Sequence, residues 1–220
     1  MHNTLANLIE IQKKIQLKIT SQAGIIKLPK IIAVSKTHPI TSILPLINHG
    51  HFDFGENKVQ EAIEKWTDVK IENENIKLHL IGKLQTNKVK SAVKIFDYIH
   101  SLDNEKLAAR ISDEQTKQNK KIKIFIQINI GNEEQKSGVK KENIFEFYKY
   151  CKNLKLDVIG TMCIPPKESN SQNYFLEMNK INETLNLSDL SMGMSQDYME
   201  AAQNNSTFLR IGSKIFGQRN

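Results

Sequence analysis

Hydrophobic positions recur along the chain in two alternating rhythms. Leu5, Leu8, Ile9, Ile11, Ile15 and Ile19 keep helical spacing, which predicts an amphipathic helix over residues 2–20. Ile31-Ile32-Ala33-Val34-Ser35 then forms a short run without polar alternation, the signature of a strand buried on both faces. From there strand-like and helix-like segments alternate. Helical stretches are predicted over 40–48, closed by His49-Gly50, and over 57–66, from about Thr86, and over 104–116, 143–152, 171–183 and 197–203. Between them lie strands over 52–55, 77–82, 98–101, 122–130, 156–162, 187–192 and 207–212. The β-branched stretch from Ile122 to Ile130 is the clearest of these, and a polar loop around Pro165-Pro166 precedes the helix at Ser171.

Repeated strand–helix units, eight in number, predict a (β/α)8 TIM barrel with an extra N-terminal helix. A doubly wound open sheet is the alternative for the same alternation. Residues 1–220 read as one domain, with 1–22 forming the helix that packs on the barrel. The stretches 73–77 and 165–172 read as loops, not as joints between domains.

Composition narrows the picture. Hydrophobic residues make up 39% and charged residues 25% of the 220 positions, ordinary for a globular protein. The formal charge of +7 raises nucleic acid as a partner. The lysines are nevertheless scattered among carboxylates, and the densest basic run, 117–123, is broken by Gln118, Asn119 and Ile122. It reads as a solvated helix end, so no nucleic acid is expected. Cys151 and Cys163 are too few for a disulfide framework and form no CxxC, which fits a reducing, cytoplasmic setting. Neither a secretory leader nor a membrane-spanning run is expected.

In a parallel barrel the reactive groups project from the C-terminal ends of the strands. Those ends carry Lys36, Gly55-Glu56-Asn57, Gly82, His100-Ser101, Asn129, Met162, the run from Ser191 to Ser195, and Arg210 to Ser213. Polar and glycine residues therefore gather at one rim. Lys36 follows a wholly apolar strand, where partial desolvation frees its amine to attack an aldehyde; a lysine there can equally snorkel to solvent. Gly193, Ser195, Gly212 and Ser213 follow the seventh and eighth strands, where barrels of this type often hold phosphate. Ser195 can also serve as a helix cap. Arg210 interrupts an apolar strand, and a buried permanent cation needs a partner: the ring nitrogen of a bound pyridine, or a barrel carboxylate. His79 reads as a satisfied core residue; His100, at a strand end, reads either as a ligand contact or, with Ser101 and Asp103, as a hydrogen-bonded cluster at a helix start. No metal-ligand spacing is present, and no metal is expected.

Taken in order, these motifs resemble the pyridoxal phosphate homeostasis proteins, single-domain relatives of the alanine racemase barrel. The likeness runs from about Ile31 to the C-terminus. It is carried by Ala33-Val34-Ser35-Lys36, Gly55-Glu56-Asn57, His79-Leu80-Ile81-Gly82 and His100-Ser101-Leu102-Asp103. Further along it includes Lys136-Ser137-Gly138, Gly160-Thr161-Met162, Leu190 to Ser195, Met199-Glu200-Ala201-Ala202 and Arg210-Ile211-Gly212. The resemblance implies that pyridoxal 5′-phosphate (PLP) is held reversibly by Lys36 as a Schiff base. It also implies that Arg210 faces the pyridine nitrogen, that Ser195, Gly212 and Ser213 hold the phosphate with the backbone of Met194, and that Asn57 lies near the ring or its 3′-oxygen. Lys58 stands where an aromatic or another basic residue often follows the asparagine, and Ser213 where threonine is common.

An arginine at the pyridine nitrogen weakens the ring as an electron sink. The racemases also use a second base from a separate C-terminal domain, whereas this sequence runs to Asn220. The expected function is therefore a non-catalytic PLP carrier or buffer with no catalytic residue. It is expected to act as a monomer, to hand PLP to PLP-dependent apoenzymes, and to have no membrane partner. A weak amino-acid racemase is the alternative.

Overall fold

A computed structural model describes residues 3–20, 28–166 and 170–218. The outermost positions of the predicted N-terminal helix (residues 1–2 and 21–22), the middle of the loop after Pro166, and Arg219-Asn220 lie outside the described residues. Among the described residues eight parallel strands close into a barrel in sequential order. They are β1 (Lys30–Val34), β2 (Asp53–Glu56), β3 (Lys77–Leu80), β4 (Tyr98–Leu102), β5 (Lys123–Ile128), β6 (Asp157–Cys163), β7 (Asp189–Ser191) and β8 (Phe208–Ile211). The helices are α1 (Asn3–Thr20), α2 (Ile40–Asn48), α3 (Val59–Glu72), α4 (Val89–Ile95), α5 (Glu105–Gln118), α6 (Ile144–Asn153), α7 (Ser171–Thr184), α8 (Tyr198–Gln203) and α9 (Ser213–Phe216). The expected (β/α)8 barrel with an extra N-terminal helix is thus observed, and closure of β8 onto β1 excludes the open sheet.

Differences from the predicted boundaries have local causes. The helix predicted over 57–66 starts two residues later and continues to Glu72, which leaves Asn57 in the loop. The helix expected from Thr86 opens with a 3₁₀ turn over Thr86–Lys88 before α4. The long β-branched stretch ends as a strand at Ile128, because the backbone of Asn129 turns to pair with Val139. The strand predicted over 187–192 is shorter, Asp189–Ser191.

Burial divides into two shells. Between sheet and helices lie residues such as Phe54, Trp66, Phe96 and Phe175. Inside the barrel a smaller cluster contains Ile32, Tyr98, Phe125, Met162 and Phe208. Glycine makes room where strands crowd. A Cβ on Gly160 would lie 1.9 Å from the Asp189 carbonyl oxygen, at the place where the β5–β6 register shifts. The apolar stripe of α1, with Leu8, Ile11, Ile15 and Ile19 buried, lies against α2, α8 and α9. Its Asn7 amide donates to the Ile215 carbonyl at 3.0 Å, so the extra helix braces the segment that follows β8.

Candidate functional site

The β1 strand is apolar because both its faces are covered, and it delivers Lys36 to the C-terminal mouth two residues past its end. Lys36 is half-buried. The next residue, Thr37, has φ +67°, unfavourable for a β-branched side chain, so its neighbours must hold it there. Its N–H donates to a Glu61 carboxylate oxygen at 2.5 Å. Lys65, one helical turn after Glu61 on α3, donates to that same oxygen at 2.9 Å and to the Ser35 carbonyl at 2.9 Å. It also reaches Glu56 Oε1 at 3.0 Å. The same Glu56 oxygen, wholly buried, accepts from Ser35 Oγ at 2.8 Å and from Trp66 Nε1 at 2.9 Å. The residues on either side of Lys36 are therefore anchored from outside the barrel, through α3.

Arg210 rises from β8 into the barrel and is 4% exposed. Its guanidinium donates to Ser191 Oγ at 2.7 Å and to the Cys163 carbonyl at 2.8 Å. Among the described residues no carboxylate forms an ion pair with it. Of the two partners considered for this cation, the barrel carboxylate is absent there. Burial lowers the Arg210 pKa, while the Cys163 thiol is pushed up to about 12 by its own burial.

The third component follows β7 and β8. Ser195 Oγ accepts from the backbone N–H of Gly212 at 3.3 Å and of Lys214 at 3.5 Å. Ser195 thus turns toward the start of α9, and α8 is preceded by Asp197. Gly193, at φ +88°, has no room for a side chain, since a Cβ would lie 2.4 Å from that of Ala201. Met194 is exposed and its N–H donates to Asp197 Oδ1 at 2.6 Å.

Register brings these groups together. Ile32 pairs with Arg210 and Ala33 with Ile211, and a Cβ on Gly212 would lie 3.4 Å from Val34 Cβ. Gly212 and Ser213 therefore leave β8 beside the exit of β1 that carries Lys36. Val34 pairs with Gly55 on the other side, which sets Asn57 at the same end of the adjacent strand. Gly82 closes over it: a Cβ there would fall 2.4 Å from the Asn57 carbonyl oxygen. Lys36, Asn57, Met194, Ser195, Arg210, Gly212 and Ser213 all come from four adjacent strands, β7, β8, β1 and β2. The sequence places Glu56 and Ser191 among the rim residues without a role of their own, and gives Glu61 and Lys65 none. The Glu61/Lys65 spacing of four on one helix is the signal that marks the first supporting pair.

The histidines behave differently from each other's expectation. His79 is a satisfied core residue, as read. His100 takes no part in a helix-start cluster; Asn104 caps α5, and the His100 ring points inward, where Nδ1 meets Ser191 Oγ at 2.8 Å. The bulge in β4 between Ile99 and Leu102 lies beside it.

A (β/α)8 barrel with a mouth lysine, a buried arginine and a hydroxyl-and-glycine segment after its last two strands defines a class, the N-terminal barrel of alanine racemases. The family model for "Alanine racemase, N-terminal domain" matches residues 13–220. The chain is 37% identical to the pyridoxal phosphate homeostasis protein of Haemophilus influenzae, over 99% of this chain and 97% of that protein. It is 38% identical to the protein of the same name from Aquifex aeolicus, over 86% and 87% respectively. Among solved structures, PipY of Synechococcus elongatus with PLP bound aligns with a TM-score of 0.81 and 30% identity, covering 93% of this chain and 99% of that one. The chain belongs to the pyridoxal phosphate homeostasis protein family, within the alanine racemase N-terminal domain superfamily.

Proposed function

We propose that this protein binds pyridoxal 5′-phosphate and serves its homeostasis, as one barrel domain that carries the cofactor without turning substrate over. The observation that carries the reading is Arg210, a buried cation with hydrogen-bond donors to spare and no carboxylate among the described residues. It suits an acceptor such as a pyridine nitrogen. The mouth also offers the Lys36 amine for an aldehyde, and Ser195, Gly212 and Ser213 for a phosphate. Asn57 would flank the ring. The Lys36 amine would join the aldehyde carbon with loss of water, a linkage that water reverses. When bound, PLP supplies an electron sink, and an arginine that leaves the ring nitrogen unprotonated weakens it. Such a site suits storage and delivery to PLP-dependent apoenzymes by a monomer. The relatives' names agree with that role. Among the described residues no helix is long and apolar enough to cross a membrane.

The test is an absorbance spectrum of protein incubated with PLP, followed by borohydride reduction and peptide mass analysis. The expected result is a near-visible band and a reduced adduct on Lys36, both lost in Lys36→Ala. A wild-type protein showing neither refutes the reading. The racemase alternative rests on the family model, and alanine racemisation well above the Lys36→Ala background would establish it in place of a pure carrier.

A further inference from the structure

A line of polar side chains runs through the middle of the otherwise apolar barrel. Arg210 donates to Ser191 Oγ at 2.7 Å, and Ser191 Oγ lies 2.8 Å from His100 Nδ1. His100 Nε2 is 3.0 Å from His79 Nδ1, and His79 Nε2 is 3.0 Å from Asp53 Oδ1. Asp53 opens β2 and Arg210 sits near the end of β8, so the line crosses from the closed end of the barrel toward its mouth. Both rings are clamped: His79 stacks on Tyr98 at 4.2 Å and His100 on Phe125 at 4.3 Å.

Only one arrangement of protons satisfies every link with neutral imidazoles. An Asp53 carboxylate accepts, so His79 carries its proton on Nε2 and its Nδ1 accepts. His100 must then donate from Nε2, which leaves its Nδ1 to accept the Ser191 hydroxyl proton. Ser191 Oγ in turn accepts from Arg210, which can only donate. Burial holds both imidazoles below their ordinary pKa; burial raises that of Asp53, but the hydrogen bond to His79 together with Lys30 and His51 nearby makes its net shift downward. The line therefore points one way, from a cation with no ion-pair partner among the described residues to an anion at the opposite end.

We propose that Asp53 and His79, acting through His100 and Ser191, are positioning residues that fix Arg210 for donation to the ring nitrogen of a bound pyridine. The inference rests on the PLP reading above. Each link of the line polarises the next, so the Asp53 charge strengthens Ser191 as an acceptor for the guanidinium. Without it Ser191 is a weaker and less fixed acceptor, and the guanidinium leans more on the Cys163 carbonyl.

The test compares wild type with Asp53→Asn and Asp53→Ala, using PLP and its analogue in which carbon replaces the ring nitrogen. Asp53→Asn removes the charge but keeps an oxygen that can accept from the buried His79 Nε2–H, and Asp53→Ala removes both. Both variants are expected to bind PLP more weakly by roughly three- to tenfold, the net share of one ordinary hydrogen bond, with a displaced absorbance maximum. They are expected to bind the carbon analogue as wild type does, since Arg210 then has no acceptor to find. Nitrogen-15 NMR of the wild type is expected to show both histidines as the neutral Nε2–H tautomer. Equal weakening for both aldehydes, weakening for neither, or the opposite tautomers overturns the inference. A wild type that binds neither aldehyde overturns the PLP reading itself, while wild-type binding with unresponsive Asp53 variants overturns only this one.

Discussion

Removing the Glu56 carboxylate should damage the fold and the seat of Lys36 together. In Glu56→Ala, Ser35 Oγ, Trp66 Nε1 and Lys65 Nζ all lose the oxygen they share. Trp66 is wholly buried, so its indole N–H would be left without a partner, at about 1–3 kcal/mol. Lys65, only 11% exposed, keeps Glu61 and so does not become an isolated charge. Adding the Ser35 bond and the weakened ion pair gives about 3–5 kcal/mol, the usual cost of breaking a buried charged set. For a chain of this size that is roughly 6–20 °C in Tm. Glu56→Gln keeps an acceptor for all three donors. It places an amide where Glu56 Oε2 has no hydrogen-bond partner, and should cost about 1–3 kcal/mol. Urea unfolding and thermal melts of the two variants measure both values. A loss below about 1 kcal/mol in Glu56→Ala would refute the assignment of Glu56 as the anchor.

Two further outcomes are expected. Gly160→Ala puts a methyl 1.9 Å from the Asp189 carbonyl oxygen, a backbone atom that cannot step aside, so soluble yield should collapse or stability fall by at least about 3 kcal/mol in urea; normal folding would mean that β6 and β7 separate more easily than the barrel implies. His51, His79 and His100 are all held below their ordinary pKa, chiefly by burial. The unfolded chain therefore takes up protons first as pH falls through about 6.5, and the stability present above that value is lost on the way down through the folded pKa values, at up to about 1.4 kcal/mol per pH unit for each ring. Urea midpoints at about pH 7.5 and about pH 5.5 measure this, and equal midpoints with equal m would contradict it.

The barrel was legible because strands covered on both faces leave unbroken apolar runs, as at Ile31–Val34, and the helices between them keep their own period. The rim residues were legible for a related reason. Lys36, Asn57 and Gly212 stand just where an apolar run stops, and a polar or glycine residue at that place has few structural duties. What sequence spacing did not reveal were the partners. Glu56 reads as one more charge after a strand, yet it accepts three hydrogen bonds, because α3 folds back over β1 and β2 and brings Lys65 and Trp66 to it. His100 and Ser191 are 91 residues apart, and only closure of the sheet brings them within 2.8 Å. The helix predicted to start at Asn57 starts later for a similar reason, since Gly82 lets the next loop press on the Asn57 backbone.

The segment carrying Lys36 and the buried Arg210 are supported from opposite sides of the sheet. Lys36 depends on side chains that point outward, with Glu56, Glu61 and Lys65 lying between the strands and α3. Arg210 depends on side chains that point inward, through Ser191 and the histidines. The alternation of side chains along a strand enforces this separation: Gly55 faces the barrel interior beside Ile32, and Glu56, the next residue, faces α3. The hydrogen bonds of the two sets share no side chain. Substitutions in the outer set should therefore alter how Lys36 meets an aldehyde while leaving selectivity for the ring nitrogen intact, and substitutions in the inner set should do the reverse. Effects from the two sets should add, because distant sites without shared partners are energetically independent. On the proposed PLP reading, a hold on the aldehyde at Lys36 and a hold on the ring at Arg210 could then each be tuned without disturbing the other.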